Sequence, residues 1–137
     1  MTQEDKQILL QDLCGRLPYG VKARVYNHWR DEFQEETITI ENLHQLIKTF
    51  SIGDIKPYLF PLASMSEEQK KECFKGTPLE IDKYGDVAVK DDFYGNSQYT
   101  NLEIYLEVID WLNKNHFDYR GLFHKGLAID CTNLNIY

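Results

Sequence analysis

The sequence predicts an α+β fold: an antiparallel sheet of short strands flanked by an N-terminal helix, a short middle helix and a long C-terminal helix. Three observations carry that prediction. Apolar residues recur at helical spacing near both ends, short alternating runs lie between them, and no βαβ rhythm links the runs. The 137 residues hold no internal repeat and no linker-like stretch, so residues 1–137 read as one domain.

Each element has a local reason. Thr2 can cap a first helix in which Leu9, Leu10, Leu13, Cys14 and Leu17 recur on one side. Pro18 ends it, because the residue before a proline is pushed out of the α region. Residues 21–26 alternate apolar and polar like a half-buried strand. Residues 27–36 read as a polar loop carrying Trp29 and Phe33, and residues 37–40 as a second short strand. For residues 41–52, Leu43, Leu46, Ile47 and Phe50 fit a helix, with a strand as the alternative. Ser51 and Asp54 open a turn, and the two prolines of residues 56–62 make that segment extended.

Ser66 and Gln69 form a capping box for a helix running to about Phe74, stopped by Gly76 and Pro78. Residues 79–82 and 86–90 read as a hairpin turning at Tyr84-Gly85. Residues 91–98 read as a polar loop. Thr100 and Glu103 cap the last helix, whose stripe is Leu102, Tyr105, Leu106, Ile109 and Leu112.

Composition limits function. Net charge is −7 with a pI near 5.0, which opposes binding to phosphate backbones, so a nucleic-acid partner is not expected. Cys14, Cys73 and Cys131 are odd in number and form no CxxC pair, which points to a reducing cytoplasm and inert core thiols. The first residues lack the basic and apolar regions of a signal peptide. No apolar run approaches the ~18 residues a membrane span needs. No cofactor fingerprint, nucleophile elbow or Cys/His metal framework is present. Residues 15–22 (GRLPYGVK) resemble a phosphate-binding loop only superficially. Lys22 falls one place late, and the order is helix, loop, strand, where phosphate cradling needs a strand before the loop and a helix after it.

The densest chemistry lies in residues 115–126, which hold His116, Asp118, Tyr119, Arg120 and His124. This cluster reads two ways. In one, Asp118 orients His116 as a general base and Arg120 clamps an anionic, nucleotide-like substrate or ligand. A metal variant would use His116, Asp118 and His124, but no recognised ligand spacing is present. In the other, His116 ends the long helix, Asp118 caps a short helix over residues 119–125, and Gly126 closes it in a left-handed conformation. The capping reading is favoured, and no catalytic residue is assigned. A binding surface is expected from Arg120 and Tyr119 together with Tyr58 and Trp29. The expected function is that of a non-catalytic cytoplasmic binding or accessory protein acting on a protein partner.

Three blocks carry a resemblance: residues 13–22 (LCGRLPYGVK), residues 56–68 (KPYLFPLASMSEE), and residues 116–122 (HFDYRGL) with 125–128 (KGLA). Together, in this order, they resemble a family of small uncharacterised proteins encoded by gut bacteria and their phages and prophages. That resemblance implies no activity and no catalytic residues. A mobile-element setting implies a small accessory protein that binds a host or phage factor. The family's pattern includes positions 116, 118 and 120 but does not require a histidine at position 124, which weakens the metal reading.

Overall fold

A computed structural model describes residues 1–49, 51–90 and 102–137, with Leu102 described in its backbone. Helix α1 (Gln3–Arg16) opens on a reciprocal cap, the Thr2 hydroxyl accepting from the Asp5 amide and the Asp5 carboxylate from the Thr2 amide. Its buried stripe is Leu9, Asp12, Leu13 and Arg16. Leu10 and Cys14, expected on that stripe, are exposed, so Cys14 is not a core thiol. Two charged residues take the inner positions because they neutralise each other there. Cys73 and Cys131 are buried, and burial raises their thiols to about 12 and about 11, which keeps both protonated at neutral pH.

Strands β1 (Lys22–Asn27) and β2 (Glu32–Thr37) form an antiparallel hairpin in register from Lys22↔Thr37 to Asn27↔Glu32. The expected loop over residues 27–36 is therefore mostly strand. Phe33 is the one apolar side chain in β2, and an edge strand solvated on both faces shows no hydrophobic alternation. The true turn is held by the Asn27 side chain, which accepts from the Trp29 and Arg30 amides.

Of the strand expected over residues 37–40, only Thr37 lies in β2, although the Ile38 amide still donates to the Val21 carbonyl. Helix α2 (Ile40–Thr49) settles the ambiguous segment. Thr39 and Asn42 cap it reciprocally, and Leu43 and Leu46 are buried. Phe50 lies outside the described residues.

Strand β3 (Ile55–Pro61) is the centre of the fold. It pairs antiparallel with β1 through Ile55, Lys56 and Pro57. Farther along it pairs parallel with two very short strands, β6 (Phe117–Asp118) and β7 (Ile129–Asp130). The order is β2-β1-β3-β6, with β7 also on β3. The sheet is thus mixed rather than antiparallel. Two-residue strands carry no period-2 pattern, so nothing local marked β6 and β7 as strands.

Helix α3 (Glu67–Cys73) has the expected Ser66–Gln69 box. The hairpin β4 (Leu79–Ile81) and β5 (Val87–Val89) forms a separate two-stranded sheet. Gly85 turns it at φ +82°, which a side-chain-bearing residue adopts only with strain.

Helix α4 (Leu102–Lys114) has 13 residues and is not the long helix expected. Its proposed cap at Thr100 and the loop over residues 91–98 lie outside the described residues. The buried side of α4 is Val108 and Leu112, with Tyr105 and Trp111 half-buried, while Leu106 and Ile109 face out. The working stripe is therefore rotated from the expected one, toward α3, where the Trp111 indole donates to Glu72. Among the described residues, no helix is long and apolar enough to cross a membrane.

The apolar interior forms two clusters meeting at β3. One joins α1, β1, α2 and Leu59; the other joins α3, the β4–β5 hairpin, α4 and Phe117, with Phe60 against it.

Candidate functional site

The C-terminal end of α1 carries the least expected feature. Asp12 and Arg16 are both 0% exposed and pair bidentately, Nε to Oδ2 at 2.8 Å and Nη2 to Oδ1 at 3.1 Å. Arg16 also donates to the carbonyls of Phe117 at 2.6 Å and Leu112 at 3.5 Å. One guanidinium therefore ties α1 to the end of α4 and to β6. The Asp12–Arg16 spacing of four, on the same side of the helix as Leu9 and Leu13, is the sequence signal that could have found it.

The residues of the 116–124 cluster are built around this pair. Arg120 places Nε 3.4 Å from Asp12 Oδ1 and donates to the Tyr119 hydroxyl, which in turn donates to Asn113. Tyr119 lies beneath two guanidinium groups, at 5.4 Å from Arg16 and 5.1 Å from Arg120. The group expected to clamp an anion is thus engaged with a buried structural carboxylate.

Asp118 does not orient His116. Its oxygens accept from the backbone amides of Arg120, Leu122 and Phe123 at 3.0–3.1 Å. Asp118 holds the turn that leads into a short 3-10 stretch, Phe123–Lys125, closed by Gly126 at φ +69°. The helix expected over residues 119–125 is reduced to that stretch. Replacing Asp118 with alanine should cost about 2 kcal/mol, read as a lowered urea midpoint with unchanged slope, and Asp118→Asn should recover part of it.

His116 sits at φ +64° just beyond α4, and its carbonyl accepts from the Phe60 amide. Its ring is 9% exposed and stacks on Tyr137 with centroids 3.6 Å apart and planes 7° from parallel. Nδ1 is buried without a partner. Burial, reinforced by the Arg16 and Lys22 charges, lowers the imidazole to about 4, so it is neutral at physiological pH. A base needs a proton-accepting partner geometry, and no carboxylate faces this ring among its contacts.

The remaining candidates divide. Tyr58 is 5% exposed, with its hydroxyl near Glu35 and its carbonyl accepting from the Tyr137 hydroxyl. Trp29 is 88% exposed in the β1–β2 turn, beside His28, which contacts Asp54 just before β3 begins. Tyr119 and Arg120 follow β6, which pairs with the last residues of β3. The seven residues of β3 span roughly 20 Å, so Trp29 and Arg120 lie at opposite ends of it and share no patch.

A cleft of about 460 Å³ opens at the carboxyl end of β3, lined by Pro61, Tyr84, Asp86, Asp118, Tyr119, His124 and Asp130 among others. Among the described residues, no group of three His, Cys, Asp or Glu side chains is placed to hold a metal ion.

No protein-family model, curated protein or solved structure matches this chain. Geometry and chemistry therefore carry the functional reading. The three blocks that underlie the resemblance meet in space: Arg16 reaches Phe117, Phe60 pairs with Phe117, and Lys22 and Tyr58 share the Tyr137 hydroxyl. Packing of the sheet centre is a sufficient physical reason for those residue types.

Proposed function

We propose that this chain is a non-catalytic binding protein that engages a protein partner through the β1–β2 hairpin. The observation that carries the reading is the exposure of Trp29, 88%, at the tip of the β1–β2 hairpin, with Phe33 58% exposed on the adjoining edge strand. An indole presented to water on a defined turn is the kind of anchor that fills a pocket on a partner. The surrounding groups are prearranged. Arg24 lies 4.1 Å over the Phe33 ring, Tyr26 meets Phe33 edge-on, and the Tyr26 hydroxyl bonds Asp31. The outer edge of β2 carries no strand among the described residues, so a partner can add one there.

The alternative, an enzyme or sequestering protein for an anionic ligand built on His116, Asp118 and Arg120, has less support, because each of those side chains is committed to packing or capping. A cytoplasmic setting, which rests on the odd number of cysteines without a CxxC pair, and a phage or mobile-element origin, which rests on the sequence resemblance, belong to the same proposal.

The test is affinity capture with the wild-type chain and with Trp29→Ser, followed by titration of the captured protein. Thermal stability should be unchanged, because the side chain is exposed. Affinity should fall at least about 30-fold, the effect of a central aromatic anchor. Capture and affinity identical to wild type would overturn the reading.

A further inference from the structure

We propose that the partner engaged by the hairpin adds an extended strand to the outer edge of β2, and that lysine or arginine alternates with apolar residues along that strand. The inference rests on the reading that the hairpin binds a protein, and it names the chemistry of what is bound. Its first ground is topology. Strand β2 ends the order β2-β1-β3-β6, so among the described residues one of its two edges has no ladder. Alternate residues of an antiparallel edge strand turn both N–H and C=O outward, and an added strand satisfies them.

Register then sorts the side chains that an added strand would meet. Gln34 and Glu36 lie opposite Val25 and Ala23, both fully buried, so Glu32, Gln34 and Glu36 share the core-facing side of the sheet. Phe33, Glu35 and Thr37 share the other side. On the core-facing side the carboxylates lack compensation. Glu36 accepts from the neutral Gln34 amide, itself held by Asn27, and pairs with no cation among the described residues. Glu32 has one contact with Arg30, at 3.8 Å between two largely exposed side chains, and a pair of that kind contributes little. Lysine or arginine at alternate positions of an added strand would stand beside both glutamates. On the other side Glu35 lies opposite Arg24, so both signs are already present there, and the exposed flank of Phe33 calls for an apolar neighbour. Charge also decides against a second copy of this chain as the occupant. Strand β2 holds three glutamates and no lysine or arginine, so pairing with itself would crowd six carboxylates onto one seam. An edge charged with one sign repels its own copy and fits a strand of the other sign.

The probe is a blocked peptide of alternating lysine and valine, as long as β2, titrated into the full chain and followed by amide chemical shifts and hydrogen exchange. Expected are saturable binding, slowed exchange at alternate amides of β2, and at least about tenfold weaker binding of a glutamate–valine peptide. A fully N-methylated lysine–valine peptide keeps the charge and loses the donors, so it should not bind. The Glu32→Gln/Glu36→Gln pair should weaken lysine–valine binding at least about tenfold. Its circular dichroism spectrum should be unchanged, because glutamine at position 36 still offers Gln34 an acceptor. No binding at millimolar concentration, equal affinity for the two charged peptides, binding of the methylated one, or an unaffected double variant would each overturn the proposal. The peptide lies along β2 and does not need the Trp29 turn, so its result is separable from the capture test. Trp29-dependent capture without a lysine–valine preference keeps the anchor and removes the basic strand. A lysine–valine preference without Trp29-dependent capture keeps the strand and removes the anchor.

Discussion

Arg16→Met is expected to lower the free energy of unfolding by about 3–5 kcal/mol, the cost of stranding one member of a buried ion pair. Asp12, fully enclosed, would lose its bidentate partner and keep only the single Arg120 contact at 3.4 Å. The Leu112 and Phe117 carbonyls would lose a donor at the same time. Chemical denaturation at neutral pH reads the loss directly. The companion Asp12→Leu/Arg16→Met variant should be more stable than Arg16→Met alone, because removing both charges removes the uncompensated one. A single variant within 1 kcal/mol of wild type would mean that Arg120 can replace Arg16.

Acid should destabilise the fold through His116. The unfolded imidazole titrates near 6.5 and the folded one near 4, so between those values the unfolded chain binds more protons. Stability therefore falls as pH drops through that window, by up to about 3 kcal/mol once pH is below 4. Carboxylates also contribute at the acid end, so the contribution of His116 is the difference from a variant. His116→Asn is suited to this, because asparagine tolerates the left-handed backbone found there. Unfolding free energies at pH 7, 6, 5 and 4 should show a shallower decline for His116→Asn than for wild type. Parallel declines would place the proton elsewhere.

What could be read from the sequence were features whose cause is local. The caps at Thr2, Ser51 and Ser66 involve residues three apart, and the turn at Gly85 needs only its own backbone freedom. What escaped depends on partners distant in sequence. Strand β2 is polar because it is an edge, and β6 and β7 exist only because β3 supplies their ladder. Leu106 faces solvent because the α4 stripe turns toward α3. The 116–124 cluster reads from the sequence as the densest chemistry, but the placement of Phe117 and Arg120 is set by Arg16 and Asp12, about a hundred residues earlier. The capping role of Asp118 was legible because Asp118 bonds amides two to five residues ahead.

Tyr137 completes something larger than its own contacts. The β1–β3 ladder runs through Ala23↔Pro57, and Lys22 and Tyr58 would form its next rung. Instead the Tyr137 hydroxyl accepts from the Lys22 amide at 2.8 Å and donates to the Tyr58 carbonyl at 2.9 Å, with His116 stacked behind its ring. A side chain 115 positions away thus serves as the missing peptide group where the antiparallel half of the sheet gives way to the parallel half. During synthesis, both strands of that rung emerge long before their spacer does. The hairpin, α2 and the first half of β3 can assemble early, but the seam between the two halves stays open until residue 137 arrives. Closing that seam therefore needs a contact spanning 115 positions, which local folding cannot supply.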